Sequence, residues 1–216
     1  MVRNPPRIEK LPVVDRLIDA AESLFGEHGI DGVSLRQISN AAGTGNNYAV
    51  QYHFDDLLGL IRAITRQRMP EIEAHRARLL MQAKEAGKLG DTRALLEVIY
   101  RPLIEHTNQH GERAYARFIL AALNSPVARN IASTDLHEVM PIAVHVTELL
   151  ANLLALNSPA LLAERQRLVS LLLLNSIFSR FTLEEGVFSE KELIENALDM
   201  AAAALQAPAS IPAQES

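Results

Sequence analysis

Ser34-Leu35-Arg36-Gln37-Ile38-Ser39-Asn40-Ala41-Ala42-Gly43-Thr44-Gly45-Asn46-Asn47-Tyr48-Ala49-Val50-Gln51-Tyr52-His53-Phe54 is the stretch whose reading decides the fold. Ser34 with Gln37 three residues on is a capping box, so a short helix opens at Leu35. Gly43 and Gly45 interrupt after Ala41-Ala42, and a further short helical segment spans about Asn46 to Phe54. Upstream, Val14, Leu17, Ile18, Ala21, Leu24 and Phe25 form one amphipathic stripe, closed by Gly29 and turned by Asp31-Gly32. The first fifty-odd residues therefore read as three short helices in succession.

Beyond Phe54 the periods lengthen. Asp55 or Asp56 can cap a fourth helix carrying Leu57, Leu60, Ile61 and Ile64. Pro70 suits the first turn of a fifth, which runs toward Gly87. Asp91 caps a sixth that is expected to reach Gly111 with a kink at Pro102. A seventh covers Glu112 to Leu123 before Ser125-Pro126, and an eighth Leu136 to Leu156 with a bend at Pro141. Ser158-Pro159 starts a ninth, expected to reach Thr182; the capping box Ser189 to Glu192 starts a tenth that ends near Gln206. Residues 207–216 hold prolines and no apolar period, and read as a disordered tail. No repeat and no strand pattern is visible: the chain is all-α.

Composition narrows the function classes. With 216 residues and 48% apolar content the chain can build a substantial core. There is no cysteine, which removes disulfides, thiolate zinc sites and cysteine nucleophiles. The opening Met1-Val2-Arg3-Asn4-Pro5-Pro6 lacks the apolar segment of a signal peptide. No run reaches the roughly 18 uninterrupted apolar residues of a membrane span; the richest, Leu168 to Phe181, is broken by Ser170, Asn175, Ser176 and Arg180. The reading is a cytoplasmic protein without a membrane partner. No nucleophile–base pattern or phosphate loop is present, so no enzyme activity and no cofactor is expected. His106 and His110 stand four apart, the spacing of two metal ligands on a helix face. Their place just before Gly111 favours interaction with the helix dipole instead, and no metal site is assigned.

Arg16, Ile18, Ala20-Ala21, Leu24-Phe25, His28-Gly29, Val33-Ser34-Leu35, Ile38, Ala41-Ala42-Gly43 and Tyr52-His53-Phe54 agree in order and spacing with one family. Over about residues 14–61 the chain resembles the amino-terminal domain of TetR-type transcriptional regulators. The resemblance implies a helix-turn-helix DNA-binding domain (1–62) followed by a larger ligand-binding and dimerisation domain (63–206). Between Ala42-Gly43 and Tyr52-His53-Phe54 the chain holds one residue more than the commonest family spacing. Asn47-Tyr48-Ala49 stands where a Lys-Gly pair is frequent, Gln51 replaces a tyrosine, and Asp55-Asp56-Leu57-Leu58 stands where a basic residue is common. This is similar to an Asn-rich variant of the family.

In such a domain the second short helix enters a major groove about 12 Å wide while the first braces it. Leu35 and Ile38 anchor the supporting helix, and Val50 and Phe54 face inward. The candidate DNA contacts are Asn46, Asn47, Tyr48, Gln51, Tyr52 and His53, with Thr44, Arg36 and the arm residues Arg3 and Arg7. Asn and Gln match adenine edges, while hydroxyls and arginines suit phosphates. Residues 1–66 carry seven Lys/Arg against eight Asp/Glu, a thin footprint for DNA; the bunched Arg3, Arg7, Lys10 and Arg16 offset it at the amino end.

The eighth and ninth helices are apolar on more than one side, as a helix covered by another chain would be. The resemblance implies a homodimer formed by two late helices, for which Leu149, Leu153, Leu171, Leu174 and Phe178 are the candidates. It also implies a small-molecule effector, unidentified, held among helices five to seven. Tyr100, Ile104, Tyr115, Phe118, Ile119 and Met140 are candidate walls of that pocket, with His145 and Asn175 as polar anchors. The function expected is a ligand-responsive regulator, a repressor, that binds a pseudo-palindromic double-stranded operator as a dimer. The competing expectation is a small-molecule-binding protein of the same fold that acts through a protein partner without reading DNA.

Overall fold

The structure, a computed structural model, describes residues 11–129, 136–155, 158–178 and 188–208. The amino-terminal helices are α1 (Val13–His28), α2 (Leu35–Ala41) and α3 (Ala49–Phe54). They are followed by α4 (Leu57–Glu85), α5 (Thr92–Glu105), α6 (Ala114–Asn124), α7 (Pro126–Arg129) and α8 (Leu136–Val139). The last are α9 (Pro141–Leu154), α10 (Pro159–Phe178) and α11 (Glu190–Gln206). No strand occurs among the described residues. The protein is all-α, a three-helix head followed by a larger helical body.

The signals for starting and stopping helices act as expected in most places. Ser34 and Ser189 both form reciprocal capping boxes, with Gln37 and Glu192. Asp56, not Asp55, caps α4 by accepting from Gly59 N at 2.7 Å, and Asp91 caps α5. α11 ends at Gln206 as expected; residues 209–216, most of the expected tail, lie outside the described residues, as does the expected end of the ninth helix at Thr182.

Three expectations are corrected. No break occurs at Pro70: α4 is one 29-residue helix with the proline inside it. Leu60, Ile61 and Ile64 before it and Met69 and Ile72 after it are all buried, and packing on both sides outweighs the one main-chain bond that proline cannot donate. α5 stops at Glu105, short of Gly111; His106 takes an extended conformation with ψ 122. His106 and His110 consequently share no helix face, and no group of three His, Asp or Glu suited to a metal occurs among the described residues. Pro141 does not bend a helix but begins α9, where the missing N–H costs nothing.

One contiguous apolar core runs from Leu17 to Leu205. α1 packs chiefly on α6, α4 on α5 and α9, α10 on α11 and α6, and α11 on α5. Phe25 of α1 meets Phe118 of α6 at 6.1 Å between ring centroids, and Phe118 meets Tyr115 at 5.7 Å. The head is thus fastened to the body by α4 and by this row of rings. Two buried ion pairs accompany it. Arg68 of α4 donates from Nε to Glu22 of α1 at 2.8 Å and from Nη2 to Asp19 at 2.5 Å. Deeper in the body Glu73 accepts from Arg76 at 2.8 Å and, with its other oxygen, from Ile142 N at the start of α9 at 2.6 Å.

Candidate nucleic-acid interface

The reading surface is built on a small apolar base. Leu17, Ile18, Ala21 and Phe25 of α1, Ile38 of α2, and Ala49, Val50 and Phe54 of α3 are buried together. Leu35 is half-buried against them. α3 is only six residues long, so burying Val50 and Phe54 forces the remaining positions outward. Tyr48 is 70% and Tyr52 80% exposed, and Asn47, Gln51 and His53 are also exposed. The Tyr52 and His53 rings meet edge to face at 4.8 Å, which steadies two neighbouring outward side chains.

The connection between α2 and α3 uses polar groups locally. Gly43 and Gly45 both have positive φ (62 and 68), as this tight path requires. The Thr44 hydroxyl bonds to Ser39 O and to Asn46 O, each at 3.1 Å, so it belongs to the turn. Asn46 Oδ1 accepts from Tyr48 N at 2.9 Å, which ties its amide to the turn while its NH2 group is left for an outside partner. α3 therefore begins at Ala49 rather than Asn46, behind an Asx turn. Arg36 is exposed on α2, whereas Arg3 and Arg7 lie outside the described residues. Arg16, grouped by sequence with the basic arm, turns inward: its Nη1 donates to Ala42 O at 2.7 Å and to Gly43 O at 3.3 Å.

The candidate effector residues divide. Tyr100, Ile104, Tyr115 and Phe118 are buried, and Ile119 and Met140 half-buried. The Tyr100 hydroxyl bonds to Ser170 Oγ at 2.6 Å, and its burial pushes its pKa up. The Tyr115 hydroxyl is buried beside Thr65 without hydrogen-bond geometry to any described group, and burial raises its pKa too. His145 and Asn175 are exposed, one position off the buried stripes Val146–Leu150 and Leu173–Leu174–Ile177. His145 faces Glu148 at 3.8 Å, and Asn175 donates to Leu171 O at 2.8 Å. Neither joins the buried group around Tyr100. Clefts of about 430, 390 and 350 Å³ lie along α1 and the segment leading into α6, and none is lined by these eight residues.

Of the candidate dimer residues, Leu149, Leu171 and Phe178 are half-buried and Leu153 is 39% exposed. Leu174 is wholly buried inside the protomer and is not available to a partner; its helix, α10, packs on α6 and α11. Three polar residues escaped the sequence reading: Glu22, Glu73 and Arg76. Each sits on an apolar stripe (Ile18–Glu22–Phe25 and Met69–Ile72–Glu73–Arg76), and that placement is the signal a closer reading could have used.

No curated protein matches the chain significantly. A protein-family model does: residues 17–64, from the buried part of α1 through the first turns of α4, match the description "Bacterial regulatory proteins, tetR family". The matched residues are those that assemble the base and the outward face of α3, and over this segment the chain is similar to the tetR family of DNA-binding transcription regulators.

Proposed function

We propose that the protein is a ligand-responsive repressor that reads a pseudo-palindromic operator as a homodimer. The observation that carries this reading is the outward set on α3: Asn47, Tyr48, Gln51, Tyr52 and His53, exposed over a fully apolar base. Amides can pair with adenine edges and phenols with phosphates, so the set has the chemistry of groove reading without a lysine. The division of labour is head (1–62) for DNA and body (63–206) for effector and partner, although α4 passes unbroken through the boundary.

Dimerisation is supported by the large apolar side chains that α9 and α10 leave exposed or half-buried. Leu153 and Leu168 are 39% and 52% exposed, and Leu149, Leu171 and Phe178 are half-buried near them in sequence. A twofold pair of heads would match an inverted repeat and would supply the affinity that the head's net charge of −1 over residues 1–66 leaves thin. The effector site is the buried group around Tyr100 and Tyr115, where a ligand would shift the population between operator-fitting and non-fitting head spacings.

Selection from a random duplex pool with the full chain tests the reading. Recovery of an inverted repeat, lost on Asn47→Ala with Gln51→Ala while the dimer persists, supports it. A folded dimer that selects no motif overturns it in favour of a binding protein acting through a protein partner.

A further inference from the structure

We propose that Arg16 is a positioning residue for operator reading: from α1 it locks the turn between α2 and α3 and so sets the angle at which α3 is presented. The inference rests on the operator-reading function proposed above. A helix leaves its last carbonyls without partners inside the helix. At the end of α2 the Ala42 and Gly43 carbonyls are taken by one guanidinium nitrogen, at 2.7 and 3.3 Å, from a residue 26 and 27 positions away. A cation at a helix carboxyl end also meets the favourable pole of its dipole.

The guanidinium is partly buried. Its Nε is buried with no hydrogen-bond partner among the described residues, and both of its acceptors are main-chain carbonyls. A Cβ at Gly43 would stand 3.6 Å from Arg16 Nη1, so the fork and the left-handed turn lie against each other. Among the described residues no other long-range hydrogen bond reaches this turn; the remaining ones, from Thr44 and Asn46, are local. α3 is short, about 9 Å of helix, so a tilt of about 10° at the turn displaces its far end by about 1.5 Å. That is half the length of a hydrogen bond to a base edge, enough to lose the contact while leaving the charge on the protein surface unchanged.

Two other roles make different predictions. A phosphate contact, the role its neighbours in the basic amino-terminal run suggest, would make binding to all DNA weaker and its salt dependence shallower. A purely structural role would lower the folded fraction and both affinities together. The full-length protein, Arg16→Met, Arg16→Lys and Arg16→Gln are titrated with the selected operator and with a random duplex across a salt series. Thermal unfolding of each variant sets the folded fraction.

The expected result is that Arg16→Met loses about tenfold in the ratio of operator to random-duplex affinity, the discrimination of one base contact. Its random-duplex affinity and salt slope stay at the wild-type values. Arg16→Lys, which keeps the charge on a shorter side chain without the planar guanidinium, falls between. An unchanged ratio overturns the proposal. So does a salt slope shallower by about 0.9 per subunit, the mark of a lost phosphate contact. Failure of all three variants to fold makes Arg16 a general stability residue and overturns it as well. If the wild type itself shows no sequence preference, the operator reading has failed; if it does and the variants keep it, only the role of Arg16 has.

Discussion

The head and the body satisfy their polar groups over different distances along the chain. In the head, Ser34 pairs with Gln37, Thr44 with Ser39 and Asn46 with Tyr48, all within five residues. In the body, Glu73 caps Ile142 from 69 positions away, Arg76 donates to Ile99 O at 3.1 Å, and Tyr100 meets Ser170. Among the described residues Arg16 is the one long reach within the head. Exposed local pairs can be lost singly at modest cost. Buried ones tied into a longer-range network, as Arg76–Glu73 is through Ile142 and Ile99, fail as units, because removing one member strands the other in a low dielectric.

The strongest test of this contrast is Arg76→Met. It leaves the Glu73 carboxylate buried without its cation and is expected to cost about 3–5 kcal/mol. At about 2–4 °C per kcal/mol the thermal midpoint falls by at least 6 °C. Adding Glu73→Gln, which keeps an acceptor for Ile142 N, should restore more than half of the loss. A double variant as unstable as the single one would show that the pair does not act as a unit.

Smaller effects come from the two matched capping boxes. Ser34→Ala and Ser189→Ala should each cost about 1 kcal/mol in chemical denaturation. They separate in function: only Ser34→Ala, at the foot of α2, should weaken operator binding beyond its effect on folding. Equal loss of operator affinity from both would blur the line between head and body.

The smallest effect concerns the joint between the two regions. Burial lifts the Glu22 carboxyl above its ordinary pKa, and the Arg68 guanidinium only partly opposes that. A raised acid contributes stability that is present below the ordinary carboxylate value and is lost as the pH climbs through the raised one. Glu22→Gln removes this dependence. The stability of the variant relative to the wild type should therefore improve as the pH rises from about 4 to about 7. A difference that is flat with pH, or that moves the other way, would mean that Arg68 governs Glu22.

The same contrast explains what was legible in the sequence. The end of α1, the start of α2 and the inward side of α3 follow from signals carried within a few residues: Gly29, the Ser34 box, and the spacing that buries Val50 and Phe54. The outward face of α3 could be read for that reason. The passage of α4 through Pro70 could not, because it depends on what Met69 and Ile72 pack against. The early end of α5 likewise has no cap signal at Glu105. His145 and Asn175 mislead as polar groups in apolar runs, since a single position around a helix separates the buried side from the open one. Leu174 misleads in the opposite sense, as an apolar residue that the protomer consumes itself.

The unbroken α4 also bears on how such a regulator can be recombined. No loop separates the head from the body, so a chimera joining this head to another body must be spliced within a helix, in register, with both apolar stripes continued. The second fastening adds a shape condition: a Cβ at Gly26 would come within 2.9 Å of Arg117 Cβ on α6. A foreign body is compatible only if its sixth helix leaves the same room, and a library of exchanged heads could be sorted on that residue pair before any operator is tried.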